Sequence, residues 1–221
     1  MFRVVTVARE YGSGGGRIAQ LLAGRLGWKL VDRCLVEKIA ETAKIAPQVA
    51  EKFDERPDPW FDRLAEAFWQ SPGLRGYIRG QVPGRFDGEV AAHLTRRIIE
   101  EAAEIGDCVI VGRGSQCILQ QREDAFHVFV YAPRGERLAR LLLRDTQLSK
   151  AEAEKKLDAQ DSIRAAYVRG HYGEDWQNRH LYHLMISSCL GEKEAVSIIL
   201  SALHCARPGT SWRGGAEAVG F

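Results

Sequence analysis

The sequence feature that most constrains the fold is a glycine-rich loop close to the amino terminus. An apolar run over residues 4–8 precedes the loop, and a helical pattern over residues 17–26 follows it. The loop contains five small residues: Gly12, Ser13, Gly14, Gly15 and Gly16. Glycine lets the backbone approach an anion closely, and the first turn of a following helix presents unpaired N–H groups to it. The segment predicts a phosphate cradle. A turn without a ligand is the alternative, although ordinary turns need only one or two glycines.

Four further apolar runs predict the remaining strands of a parallel sheet. They lie at residues 29–31, 107–112, 126–131 and 183–187. Helical patterns separate them at residues 33–43, 89–105, 136–144, 149–169 and 191–205, and Ser149-x-x-Glu152 resembles a capping box. The runs do not alternate, which is typical of strands buried on both faces. The sequence therefore predicts an α/β protein with a three-layer, doubly wound, parallel sheet of five strands.

The stretch between the second and third predicted strands has a different composition. Prolines interrupt it repeatedly, while Trp60 and Phe68 lie on one face of a helical pattern. We expect a helical insert over about residues 45–88 within one domain of residues 1–205. The glycine-rich residues 206–221 are expected to form a flexible tail.

Composition argues against several functional classes. The 221 residues are 45% hydrophobic, and 31 basic against 29 acidic residues give a net charge of +2, so we expect no nucleic-acid partner. The five cysteines are odd in number and form no C-x-x-C pair, which favours the cytoplasm and predicts neither disulfides nor a metal site. No apolar run approaches the roughly 18 residues of a membrane span, and no leader precedes the first strand. We expect no membrane partner, and both a monomer and a homodimer remain open.

Two charged residues follow predicted strands. Asp32 comes directly after the strand at residues 29–31, and Arg113 follows the strand at residues 107–112. In open α/β sheets the ligand crevice lies at the carboxyl ends of the strands. Asp32 is therefore a candidate contact to a substrate or a ribose, with a helix N-cap as the alternative. Arg113 offers a bidentate fork to a phosphate or a nucleobase, with a structural ion pair as the alternative.

Arginines are concentrated in the two helices after the fourth predicted strand. Arg137, Arg140 and Arg144 are spaced i, i+3, i+7, which places them on one face of the first helix. Arg164 and Arg169 follow in the second helix. One basic face is usually solvated, but two faces that converge on a glycine loop would suit a multiply charged phosphate ligand.

Taken together, these segments resemble the cytidylate-kinase-like branch of the P-loop nucleoside monophosphate kinases. The matching segments are residues 8–15, 30–33, 110–114, 161–167 and 182–191, together with Trp176 and the arginine helix after Tyr131. The resemblance extends from residue 2 to about residue 204. It implies a P-loop kinase-like fold with a helical insert and an arginine-bearing lid.

The resemblance also implies an activity and a set of site residues. The activity is ATP-dependent phosphoryl transfer, with Mg²⁺, to a nucleoside monophosphate and first of all to CMP. Residues implied to hold the donor are Gly12, Ser13, Gly14, Gly15 and Gly16. Residues implied to act on the transferring phosphoryl group are Arg140, Arg144 and Arg164, whereas those implied for the acceptor are Asp32 and Arg113, joined by Arg169 at the lid.

The glycine loop departs from the P-loop pattern G-x-x-x-x-G-K-[ST]. Aligned through its glycines, the chain has Arg9 at the first glycine, Gly15 at the lysine and Gly16 at the hydroxyl residue. Arg17 is then the candidate for the role of the lysine. Ser13 is the candidate for approaching the metal.

This departure leaves two alternatives open. The first is a nucleotide-binding or sensing module that has lost turnover together with the lysine. The second is an NAD-dependent oxidoreductase, because Gly14-x-Gly16-x-x-Ala19 fits the loose dinucleotide fingerprint and Asp32 stands where a ribose-binding acid would. The oxidoreductase alternative leaves Arg113 and the later arginines without a role.

Overall fold

The computed structural model describes residues 1–32 and 88–206, with the side chains of residues 88–91 and 94 excepted. The predicted helix at residues 33–43 lies outside the described residues. The predicted insert over about residues 45–88 and the predicted tail over residues 206–221 also lie outside them, apart from one terminal position each. The insert, the tail and the domain boundaries stay predictions.

The described chain alternates between strands and helices. The strands are β1 (Val4–Arg9), β2 (Lys29–Val31), β3 (Cys108–Val111), β4 (Ala125–Tyr131) and β5 (Leu184–Ser187). The helices are α1 (Gly15–Leu26), α2 (Gly88–Ile105), α3 (Ser115–Ile118), α4 (Arg134–Arg144), α5 (Lys150–Tyr172) and α6 (Glu192–Cys205). Short 3-10 helices at Arg179–Leu181 and Ser188–Leu190 flank β5.

The five strands form one parallel sheet, as predicted, and the structure gives their order as β2-β3-β1-β4-β5. Strand β1 lies at the centre, where Val4 is in register with Cys108 of β3 on one side and Ala125 of β4 on the other. Because all strands run in the same direction, their carboxyl ends meet at one edge of the sheet. That edge is where ligands bind in open α/β folds.

Helices cover both faces of the sheet, which confirms the three-layer prediction. On one face Val4 packs with Ile98 of α2, and on the other Val5 packs with Ile18 of α1 and Ile199 of α6. Successive side chains of a strand point to opposite faces, so an unbroken apolar run such as that of β1 serves both cores. The central strand is thereby fixed on both sides.

Local signals explain how the long helix α5 begins and ends. The Ser149 side chain accepts a hydrogen bond from the Glu152 amide at 3.3 Å, and the Glu152 carboxylate accepts one from the Ser149 amide at 2.9 Å. This is the predicted capping box, and it satisfies amides that the first helical turn leaves unpaired. Gly173 ends the helix in a left-handed conformation at φ 70°, so α5 extends three residues beyond the predicted residue 169.

Two other helices begin two residues before their predicted starts. Helix α4 begins at Arg134, directly after Pro133, and α1 begins at Gly15 rather than at residue 17. Gly15 and Gly16 therefore belong to the first turn of α1. None of the helices in the described ranges is long and apolar enough to cross a membrane.

Candidate active site

The glycine loop connects the carboxyl end of β1 to the first turn of α1. Gly12 and Gly14 have φ angles of 78° and 79°, and the buried Ser13 lies between them. The Ser13 hydroxyl donates to the carbonyl oxygen of Glu10 at 2.9 Å and accepts from the amide of Gly15 at 3.3 Å. The Ser13 hydroxyl thus links the start of the loop to the amino end of α1, where unpaired amides and the helix dipole favour an anion.

Helices α4 and α5 pack directly against this loop. A Cβ atom on Gly12 would lie 3.0 Å from the carbonyl oxygen of Arg137 and 3.3 Å from Cδ2 of Leu157. Both the close approach and the positive φ angle require glycine at position 12. The contact brings the two arginine-bearing helices to the glycine loop.

A buried arginine joins the loop to both helices. Arg137, whose side chain is 10% exposed, places Nε 3.4 Å from Oε2 of Glu10 and donates through Nη1 to the carbonyl oxygen of Tyr11 and to Asp161. Asp161 also accepts from the amide of Tyr11 at 2.7 Å, and Glu10 accepts from the amide of Ala132 at 3.1 Å. Two carboxylates and one guanidinium therefore fix the loop backbone at its first two residues.

Arg140 binds the outer part of the loop. Its Nη1 atom donates to the carbonyl oxygen of Ser13 at 2.9 Å and to the hydroxyl of Ser188 at 2.7 Å. Ser188 is buried in the turn after β5. The guanidinium therefore bridges the glycine loop and the end of the neighbouring strand.

Arg144 and Arg164 lie against the side chain of Tyr11. Arg144 donates to the Tyr11 hydroxyl at 3.0 Å, and the Cζ atoms of Arg144 and Arg164 lie 5.8 and 5.4 Å from the ring centroid, within cation–π range. Arg164 also donates to Asp161 at 3.0 Å, while its burial lowers its pKa. The structure thus brings Arg140, Arg144 and Arg164 together beside the loop, and their catalytic roles stay predictions.

The other two predicted arginines lie elsewhere. The side chain of Arg17 is 57% exposed, donates to Gln20 at 2.7 Å and places Nε 4.0 Å from the carboxylate of Glu192. Arg169 is exposed near the carboxyl end of α5. The described contacts direct Arg17 along α1 and do not bring Arg169 to the loop.

Asp32 and Arg113 both lie at the carboxyl edge of the sheet, as predicted. Asp32 follows β2 and Arg113 follows β3, and each is half-buried. Arg113 has a φ angle of 60° and stands between two glycines that also have positive φ angles. A left-handed conformation costs a residue other than glycine about 1 kcal/mol or more, and such costs are concentrated at functional sites.

Arg9 is a charged neighbour of the site and is absent from the predicted site residues. It is the last residue of β1, and its side chain extends over Gly112, where an added Cβ would collide with Nη1 of Arg9. A Cβ on Gly15 would lie only 2.6 Å from the Cβ of Arg9. One signal was available in the sequence: an arginine occupies the position that the P-loop pattern reserves for glycine.

The charges around Arg9 connect it to the predicted acceptor residues. Burial, together with the nearby guanidinium groups of Arg164 and Arg113, lowers the pKa of Arg9 to about 10, while Asp32 acts in the opposite direction. These four side chains therefore share one neighbourhood at the ends of β1, β2 and β3. It adjoins the glycine loop, because Arg164 also contacts Tyr11.

The residues present fit nucleotide phosphates better than a metal held by the protein. The loop, the first turn of α1 and the three arginines supply donors and positive charge. Gly16 stands at the metal-binding hydroxyl position of the P-loop, and the Ser13 hydroxyl is buried and bonded within the loop. Over residues 1–32 and 88–206, no group of three His, Cys, Asp or Glu side chains is arranged to hold a metal ion.

Comparison with known proteins agrees with this geometry. The model of the cytidylate kinase-like family matches residues 4–189, and no curated protein matches the chain. An uncharacterized protein from Eubacterium ventriosum is similar in structure, with a TM-score of 0.66, 20% identity and coverage of 93% of this chain and 100% of that chain. The shikimate kinase from Bacteroides thetaiotaomicron matches with a TM-score of 0.49, 15% identity and coverage of 91% and 98%. The family match supports a kinase that acts on a nucleotide or another small molecule, and the structural neighbours support the fold.

Proposed function

We propose an activity for this chain, which belongs to the cytidylate kinase-like family. It transfers the terminal phosphoryl group of ATP to a nucleoside monophosphate, with CMP as the first candidate. One observation carries the proposal: Arg140, Arg144 and Arg164 come from two helices to a single glycine loop. Phosphoryl transfer depends mostly on positioning and on neutralising the charge of the transferred oxygens. Guanidinium groups around a helix amino end are suited to both tasks.

The donor phosphates would lie against Gly12, Ser13 and Gly14 of the loop and against Gly15 and Gly16 in the first turn of α1. Mg²⁺ bound to ATP would neutralise part of the phosphate charge. Since the described residues lack the usual P-loop hydroxyl, we propose that the metal enters with the nucleotide rather than in a site of its own.

Two of the three arginines are bonded to neutral oxygens. Arg140 donates to a carbonyl and a hydroxyl, and Arg144 donates to a phenol hydroxyl. Hydrogen bonds from guanidinium to phosphate are stronger than those to neutral acceptors, so these two side chains can exchange partners when a nucleotide is bound. Arg164 has a carboxylate partner in Asp161, so we assign it to the acceptor side rather than to the donor phosphates.

The acceptor would lie at the adjoining strand ends. Asp32 supplies a carboxylate for a sugar hydroxyl or a base amino group, and Arg113 supplies a fork for the base or the phosphate. Arg169 is proposed as an additional contact that closes from the end of α5. The positive φ angle of Arg113 supports this assignment, because the chain keeps an arginine where glycine would be less strained.

A nucleotide-binding module without turnover is the second candidate. Gly15 stands at the lysine position, and Arg17, the candidate substitute, is engaged by Gln20 and Glu192. Loss of a preorganised donor costs about 3 to 4 kcal/mol of transition-state stabilisation, which lowers kcat by about 10² to 10³. The observed strand order gives no support to an oxidoreductase, because β3 separates β2 from β1, whereas the second strand adjoins the first in the dinucleotide-binding order.

A product assay tests the proposal. The protein is incubated with Mg²⁺ and ATP and, separately, with CMP, UMP, AMP and GMP, and diphosphate products are resolved by chromatography. We expect protein-dependent CDP that is lost in Arg140→Ala and retained in Arg134→Ala, a control on the same helix whose partner is the exposed Asp158. Loss of product in Arg17→Ala would show that this arginine replaces the lysine. ATP binding without any diphosphate would instead establish the binding module.

A further inference from the structure

Arg9 is the charged residue beside the site that the proposed chemistry leaves unused. We propose that Arg9, together with Arg113 and Arg164, binds the phosphomonoester group of the acceptor at the carboxyl ends of β1 and β3. The identity of the acceptor rests on the proposed function, whereas the anion site rests on the contacts of Arg9 itself. Three observations on space, charge and position carry the inference.

The first observation is that two glycines make room for Arg9. Gly15 leaves room for the stem of the side chain, because a Cβ there would lie 2.6 Å from the Cβ of Arg9 and 3.2 Å from that of Val130. Gly112 leaves room for the guanidinium, because a Cβ there would collide with Nη1 of Arg9. A lysine at position 15 would collide with the stem of Arg9, so this arrangement excludes the P-loop lysine. Compared with the P-loop pattern, the positive charge of Arg9 lies at the end of the central strand instead of at the start of α1.

The second observation is that guanidinium groups lie close together here. Arg9 reaches Gly112, the residue directly before Arg113, and after burial the charges of Arg164 and Arg113 contribute to lowering the pKa of Arg9, while Asp32 acts in the opposite direction. Like charges in a partly buried place repel more strongly than on an open surface, because less water screens them. A dianionic phosphomonoester would bring the opposite charge to this place.

The third observation is the position of the cluster. Arg9 is the residue immediately before the glycine loop, but its guanidinium extends toward Gly112 and the end of β3 rather than toward α1. Arg164 lies near both regions, since its guanidinium is over Tyr11 of the loop and its charge contributes, after burial, to the lowered pKa of Arg9. An anion held by Arg9 would therefore be separate from the donor phosphates and next to them, where a phosphoryl acceptor must be.

Calorimetric titrations with CMP and with ATP test the role of Arg9 in the full-length chain. We compare wild type, Arg9→Gln, Arg9→Lys and the control Arg122→Gln, whose arginine is bonded to Glu104 and Asp124 before the amino end of β4. We expect Arg9→Gln to weaken CMP binding by about tenfold or more, as for loss of one charge-assisted phosphate contact. Its ATP affinity should change less than twofold, Arg9→Lys should retain part of the CMP affinity, and the control should bind both ligands as wild type does. Unchanged CMP affinity in a folded Arg9→Gln protein would overturn the inference.

A second measurement uses only the wild-type chain, so it does not depend on how a variant folds. Arginines are labelled with a dicarbonyl reagent in the presence and absence of each nucleoside monophosphate, and peptides are quantified by mass spectrometry. We expect a monophosphate to protect Arg9 while the exposed Arg25 is labelled equally in both conditions. Equal labelling of Arg9 with every monophosphate would overturn the site, even in an active kinase. Protection of Arg9 without any diphosphate product would leave the site standing and refute the kinase activity.

Discussion

The arginines at the glycine loop and those at the neighbouring strand ends have different surroundings. At the loop, Arg137 is bonded to Asp161, and Arg140 to oxygens of Ser13 and Ser188. At the strand ends, the guanidinium of Arg9 lies over Gly112, and burial together with the charges of Arg164 and Arg113 lowers its pKa. Hydrogen bonds from the arginines fix the loop, whereas at the strand ends three guanidinium groups lie near one another and near the carboxylate of Asp32.

The contrast has a physical reason in the proposed chemistry. A phosphate cradle stabilises a transition state best when its donors are already in place, so the protein holds the loop rigidly through buried hydrogen bonds. An acceptor must enter and leave in every cycle, and a site in which several guanidinium groups lie close together is selective for an anion. Three substitutions test whether the two regions differ in this way.

The largest effect is expected from Arg137→Met. It removes the buried guanidinium between Glu10 and Asp161, so Glu10 loses its partner Arg137 while Asp161 keeps only the pair with Arg164. Breaking such a pair costs about 3 to 5 kcal/mol, so the free energy of unfolding should fall by that amount in guanidinium titrations. Arg134→Met on the same helix, which affects only an exposed pair with Asp158, should leave the midpoint nearly unchanged. A wild-type midpoint in Arg137→Met would mean that the loop is not fixed by this network.

A matched pair of glycine substitutions should have the next largest effect. Gly12→Ala places a methyl group 3.0 Å from the carbonyl oxygen of Arg137 at a φ angle of 78°, whereas Gly16→Ala meets nothing within 4 Å. We expect Gly12→Ala to lower the free energy of unfolding by about 2 kcal/mol through backbone strain and displaced contacts. Gly16→Ala should be neutral or stabilising by a few tenths of a kcal/mol, because alanine favours the first helical turn. Equal losses of unfolding free energy in the two variants would show that the close contact between α4 and Gly12 does not restrict the loop.

The smallest effect is expected at the strand ends and has the opposite sign. Arg113→Gly removes a side chain at a φ angle of 60° and one of the positive charges acting on Arg9. We expect the unfolding free energy to rise by about 1 kcal/mol from relief of this strain. CMP affinity should fall in the same variant. A destabilised Arg113→Gly protein would place the residue in the structural framework, with the arginines of the loop.

Local sequence signals predicted the framework because they depend on neighbouring residues. Unbroken apolar runs predicted the strands, and Ser149 and Glu152, three residues apart, predicted the start of α5. The contacts of the site join distant parts of the chain: Asp161 reaches Tyr11, and Arg140 reaches Ser188. Periodicity placed the arginines on one face but contained no information about which oxygen each would meet.

Arg9 is the clearest case of a site residue that local sequence does not identify. An arginine at position 9 departs from the P-loop pattern, whereas Arg17 is the sequence candidate for the role of the lysine. The structure directs Arg17 toward Glu192 and directs Arg9 over Gly112, which is adjacent only because β3 pairs with β1. Strand order determines that contact, and strand order is a property of the whole sheet.

Paired titrations of ATP and CMP against wild type, Arg113→Ala and Arg140→Ala test the central claim most directly. If donor and acceptor occupy the two regions, Arg113→Ala will weaken CMP binding far more than ATP binding. Arg140→Ala, which removes the contact to the loop carbonyl of Ser13, will show the reverse. Equal loss of both ligands in Arg113→Ala would contradict the division of the site into a donor loop and an acceptor edge.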